Sequence, residues 1–175
     1  PKRATPANVA KALASIAALD AGGGTEMLSA LKLAFRDYEQ STRVRQVVFI
    51  TDGEVGNETT LFDYISRYIG KSRLFTVGIG SSPNGYFMRK AARTGRGTYT
   101  YIGKPKEVRE KMSALFARLE SPVLTDIKLH WRQGVLETYP TPVPDLYAGE
   151  PLVVVVQARH LGDEVRITGM RAGTS

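Results

Sequence analysis

Two short apolar runs, residues 46–51 (QVVFIT) and 74–79 (LFTVGI), constrain this chain more than any other feature. Neither alternates apolar with polar positions. A strand with one wet face must alternate, whereas a strand covered on both faces by helices need not. Both runs therefore read as central strands of a parallel sheet. The first stops at Asp52-Gly53 and the second at Gly80 and Pro83. Residues 98–102 read as a third strand.

The stretches between and around these runs carry helical spacing. Residues 5–19 open with Thr5, which suits an N-cap, and Pro6, which suits the first helical position. Val9, Leu13, Ile16 and Ala17 then share one face. Gly22, Gly23 and Gly24 break that helix, and a second follows over 26–38 with Leu28, Leu31, Phe35 and Tyr38 in a stripe. Further helices are expected over 59–69, over 84–94 (ended by Gly95-Arg96-Gly97) and over 104–119. The last should turn Val108, Met112, Leu115, Phe116 and Leu119 inward. Helix and strand thus alternate from 5 to 119. That alternation argues for an α/β fold, a partial doubly wound, Rossmann-like parallel sheet with flanking helices.

After Pro122 the pattern changes. Residues 123–131 alternate, Pro140, Pro142 and Pro144 punctuate the chain, and 152–158 and 165–168 read as further strands. This is the signature of a small antiparallel β region. The chain accordingly divides into an α/β part, 1–121, and a β-rich part, 122–175. The second is short for a sandwich of roughly 100 residues, so it reads as the start of one or as a few strands packed on the α/β part.

Composition removes several function classes. With 42% hydrophobic and 23% charged residues among 175, the sequence is that of a folded globular chain. No apolar run approaches the roughly 20 residues of a membrane-spanning helix. The absence of cysteine excludes disulfides, thiolate metal sites and cysteine nucleophiles. Between 86 and 119 lie nine cations (Arg89, Lys90, Arg93, Arg96, Lys104, Lys106, Arg109, Lys111 and Arg118) against Glu107 and Glu110, an excess equal to the net charge of +7. Such a stretch either forms the solvated faces of helices or attracts a polyanion such as nucleic acid. No nucleic-acid-binding motif accompanies it.

Two places carry chemistry. One is the glycine-rich segment 21–27, AGGGTEM, which opens a helix; the other is Phe49-Ile50-Thr51-Asp52-Gly53, an acid at the carboxyl end of a buried strand. Ligands of open α/β sheets bind outside the carboxyl ends of the strands. Hydroxyl, carboxylate and water oxygens there suit a hard divalent cation. Each place has plainer readings. Thr25 can be an ordinary N-cap after a tight turn, or the loop can cradle a phosphate, although no Gly-Lys-Ser/Thr follows. Asp52 can satisfy loop amides in an Asx-turn. Glu54, Asn57 and Glu58 read as loop surface. His130 and His160 read as ordinary strand and turn residues, and Trp131, Tyr99 and Tyr101 as strand packing.

The order GGGTEM, amphipathic helix, VVFITDGEVGNE, LFTVGIG, helix, then GRGTYTYI resembles a von Willebrand factor A domain, in the manner of the inter-alpha-trypsin inhibitor heavy-chain group. The resemblance covers about 5–120. It implies a metal-ion-dependent adhesion site (MIDAS) in which Thr25 and Asp52 serve as metal ligands for Mg²⁺, or for Mn²⁺ or Ca²⁺. The first motif of that site, D-x-S-x-S, has no counterpart in these residues. The expectation is that the chain starts after it, that the metal site is incomplete, and that no ion binds tightly to this stretch alone. The family's first strand lies beside the one matching 46–51, so that strand should have a bare apolar edge, open to self-association or to a tail strand. The resemblance further implies a non-enzymatic protein-binding or adhesion module that takes an acidic side chain of a partner protein, in an extracellular or cell-envelope setting. The alternatives are polyanion or nucleic-acid binding through 86–119, and a metal-assisted hydrolase using Asp52 and Glu54. For the hydrolase, no base, nucleophile or oxyanion arrangement accompanies the acids.

Overall fold

The computed structural model describes residues 3–20, 26–36, 45–52, 56–81, 83–120, 122–131, 134–147, 151–159 and 164–171. Its core is a three-stranded parallel sheet in the order β1 (Gln46–Thr51), β2 (Arg73–Ile79), β3 (Arg96–Ile102). Helix α3 (Glu58–Tyr68) joins β1 to β2, and α4 (Gly85–Thr94) joins β2 to β3. The mixed α/β architecture expected from the two apolar runs is the one observed.

β2 is central, and all its residues except Ile79 are buried. Its side chains alternate between two cores. On one face, Leu74 packs with Leu61 and Ile65 of α3, Phe87, Met88 and Ala91 of α4, and Met27, Leu31 and Phe35 of α2 (Met27–Phe35). On the other face, Phe75 and Val77 pack with Ile102 and with Leu115 and Leu119 of α5 (Val108–Leu119), which a 3₁₀ turn over Pro105–Glu107 introduces. Thr76, buried on the α4 side, donates its hydroxyl to Met88 O at 2.8 Å, so the polar atom costs nothing there.

Two helix starts follow local chemistry. Thr5 caps α1 (Pro6–Ala17) by accepting the Asn8 N–H at 3.3 Å, and Asn84 caps α4 by accepting the Phe87 N–H at 2.9 Å. Where α4 turns into β3, the backbones nearly touch. A Cβ on Gly95 would lie 2.4 Å from Leu74 Cβ, and one on Gly97 would lie 2.3 Å from Leu74 O. Between them Arg96 takes a left-handed φ of 57° and already begins β3. The glycine pair therefore serves strand approach as well as ending the helix.

Several expectations differ from what is observed. β1 was expected to be buried on both faces, yet it is the edge strand and most of its side chains are only half-buried, with Ile50 51% exposed. Burial on both sides needs a further neighbour, which the described residues do not supply. The apolar stripe of α1 exists, but Val9, Leu13 and Ile16 are exposed and the helix buries none of its residues. Phe116 of α5, expected inward, is half-exposed, because the α5 turn seats Leu115 and Leu119 instead. Tyr38 lies outside the described residues.

The tail forms two small antiparallel sheets. One has the order β6 (Leu146–Tyr147), β4 (Pro122–Trp131), β8 (Val165–Arg171); the other pairs β5 (Val135–Tyr139) with β7 (Val155–Ala158). Strands β5 and β6 lie in and beside the proline-rich stretch, where no strand was expected. Tyr147 of β6 is buried in the α5-side core, its ring 5.9 Å from that of Phe75 in a T-shaped contact.

Candidate site at the carboxyl end of the parallel sheet

The two ends of the sheet are chemically opposite. At the amino end, Arg73 opens β2 and Arg96 opens β3. The Arg73 guanidinium is 1% exposed and is gripped by Asp145, itself 1% exposed, through a fork of two hydrogen bonds, one of them 2.9 Å. Asp126 of β4 adds a contact at 3.2 Å to Arg73 and one at 3.7 Å to Arg96. Burial by itself pulls Arg73 down, but the Asp145 hydrogen bonds and charge, and then Asp126, outweigh it and hold its pKa above the ordinary value. Arg96 is lowered, by burial first and by the Arg73 charge second. Arg93, at the end of α4, stacks over Tyr139 of β5 at 4.9 Å. The tail thus docks on the amino end of the sheet.

The carboxyl end carries the candidate residues. Asp52 follows β1 directly and is exposed, while Thr51 before it is buried beside Gly78 of β2. Thr25, Gly22, Gly23, Gly24, Gly53 and Glu54 lie outside the described residues, as does His160. The start of α2, immediately after Thr25, and the connection from β1 to α3 line one cleft of about 300 Å³ formed by Glu26, Met27, Leu28, Gly56, Asn57, Thr60 and Leu61. Asn57 is exposed with a left-handed φ of 58°, and its amide oxygen accepts the Thr60 hydroxyl at 2.7 Å. Glu58 is half-buried and accepts a hydrogen bond from the Asn84 amide, which ties the amino ends of α3 and α4 together.

On the β3 side the end is closed by its own network. Tyr101 donates its hydroxyl to Gly80 O at 2.9 Å, and Lys111 donates to Tyr101 O at 2.7 Å and to Glu107 at 2.9 Å. That Lys111 hydrogen bond, helped by the Gly103 N–H, holds the Glu107 carboxyl below its usual range against a small opposing effect of desolvation. Burial raises the Tyr99 phenol. Among the described residues, no three of His, Cys, Asp and Glu come together to hold a metal.

Several cations of the 86–119 stretch are occupied within the fold. Lys90 sits 4.2 Å over Phe62, and Arg89 lies 5.7 Å over Tyr99. Arg96 and Lys111 are engaged as described. His130 is an exposed strand residue whose Nε2 lies 2.8 Å from Thr168 Oγ1. No described helix is long and apolar enough to cross a membrane.

The Arg73, Asp126 and Asp145 cluster had not been anticipated. Its signal was a lone arginine at the head of an apolar strand, since a buried guanidinium requires a carboxylate partner. Nothing in the linear sequence pointed to residues 53 and 72 positions away as the partners.

A parallel sheet with helices on both faces, an edge strand ending in an exposed acid and a cleft beside it defines an open α/β ligand-binding domain. The family model for the von Willebrand factor type A domain matches residues 1–101, and the chain belongs to that family. A von Willebrand factor A domain-containing protein of Dictyostelium discoideum is 30% identical over 133 residues, covering 75% of this chain and 16% of that protein. The von Willebrand factor A domain-containing protein 5B1 of Mus musculus is 27% identical over 109 residues, covering 62% and 9%. The chain thus spans about a sixth or less of the length of these relatives. Among solved structures, a von Willebrand factor type A protein from Catenulispora acidiphila superposes with a TM-score of 0.70 at 22% identity, over 98% of this chain and 41% of that one.

Proposed function

We propose that this chain is a non-enzymatic protein-binding module whose binding face is the carboxyl end of the parallel sheet, and that the complete domain binds its partner through a divalent cation. The observation that supports this reading is that the start of α2 and the β1–α3 connection share one cleft at the end where Asp52 projects into solvent. Asp52 offers a carboxylate oxygen and the adjoining Thr25 a hydroxyl, the donors that Mg²⁺, Mn²⁺ or Ca²⁺ prefer. Two such oxygens hold a hard cation weakly. The ion would supply an open coordination position for an acidic side chain of the partner. The docking of the tail on the opposite end leaves this face available.

The same reading includes association through β1. It pairs only with β2 among the described residues, and Ile50 is exposed beside a row of unpaired backbone groups. The setting implied for such a module is extracellular or at the cell envelope.

The test is titration of Mg²⁺ and Mn²⁺ into the chain, alone and joined to its preceding sequence, with Asp52→Ala in both. The reading expects weak binding alone, tight binding in the longer protein, and loss of both in the variant. Tight binding that survives Asp52→Ala would overturn it.

A further inference from the structure

The strongest unexplained feature lies on the tail, far from the parallel sheet's carboxyl end. There β4 and β8 run antiparallel, with His130 opposite Arg166 and Trp131 opposite Val165. A pocket of about 400 Å³ opens at this end of the pair, lined by His130, Trp131, Glu164, Arg166 and Thr168. Its size falls within the range of small-molecule sites.

The polar groups around it are not matched to one another. The indole N–H of Trp131 is buried and has no acceptor among the described residues. An indole nitrogen can only donate, so a buried one calls for an acceptor. Arg166 is exposed and forms no ion pair among the described residues, although Glu164 lies two positions away. Thr168 holds the His130 ring through the 2.8 Å contact to Nε2, which fixes that wall. Directly opposed residues of an antiparallel pair stand about 5 Å apart, so Arg166 and the Trp131 indole are near neighbours across the strands.

We propose that this pocket binds a small hydroxy acid. Its carboxylate accepts from the Arg166 fork and the Trp131 N–H, and its hydroxyls donate to Glu164. A bare anion fits less well, because Glu164 repels it. A neutral polyol fits less well, because it leaves the guanidinium without a counter-charge. The site is independent of the metal-centred face, and its failure would leave that reading untouched.

Trp131 is the only tryptophan in the chain, so its fluorescence reports this pocket alone. The probes are glucuronate, acetate and glucose, titrated at constant ionic strength. The expected result is a saturable change with glucuronate at lower concentration than with acetate or glucose. Arg166→Gln should weaken glucuronate about tenfold or more, the loss typical of a charged hydrogen-bond partner. Glu164→Gln should narrow the difference between glucuronate and acetate. Both residues are exposed, so unchanged melting temperatures will show that the variants fold. No saturable change with glucuronate, equal response to all three probes, or an unchanged midpoint in Arg166→Gln would each overturn the proposal.

Discussion

Arg73 and Asp145, 72 positions apart, form a buried two-pronged ion pair that fastens the first residue of the central strand to the tail. Removing one partner strands the other charge out of water. Arg73→Met alone, or Asp145→Leu alone, should therefore cost about 3–5 kcal/mol. The double variant should cost less than either, because no charge is left buried by itself. Urea denaturation of the four proteins measures this, and additive losses would contradict it.

The same fastening ties the two parts of the chain into one cooperative unit. Trp131 fluorescence reports the tail, and far-UV circular dichroism is dominated by the helices. Their urea transitions should coincide. Separate midpoints would show that the tail unfolds by itself.

Tyr147→Ala removes a ring that fills the core between Phe75 and α5. A loss of about 3–5 kcal/mol is expected, as for other buried aromatic truncations. A loss under 1 kcal/mol would mean that β6 contributes little to that core.

Gly97→Ala places a methyl against the Leu74 carbonyl, a backbone atom that cannot swing aside. The expected cost is about 1–3 kcal/mol or more, read as a lower denaturation midpoint. Gly56, with nothing within 4 Å of its hypothetical Cβ, is the control position at which alanine meets no clash.

Glu107 provides a pH test. Its folded pKa is depressed, chiefly by Lys111, so its contribution is present above the unfolded carboxyl pKa and is lost as pH falls through the folded value. Glu107→Gln should melt below the parent protein at pH 7, and the gap should close in acid. A gap that persists at pH 2–3 would assign the effect to packing rather than charge.

Ile50→Lys places a charge on the bare edge of β1. Light scattering should show any self-association of the chain reduced in this variant, with the melting temperature little changed. Association that is unaffected would place the contact elsewhere.

The α/β core was legible because its information is local. QVVFIT and LFTVGI announced parallel strands by lacking alternation, Thr5 and Asn84 capped helices through their own side chains, and glycines marked the strand ends. Asp52 could be placed at the carboxyl end of a strand because strand direction follows from chain order. Other features depend on which surfaces meet, and the periodicity of a segment does not encode its neighbours. The stripe of α1 reads the same whether or not it finds a partner, and Phe116 sits one residue from a buried leucine on the same helix. Likewise, Arg73 in the sequence is only a cation before an apolar run, and Asp126 and Asp145 are only tail acids. Tertiary structure brought them together at the amino end of the sheet, because a guanidinium drawn into the core by its strand can stay there only if carboxylates from elsewhere in the chain go in with it.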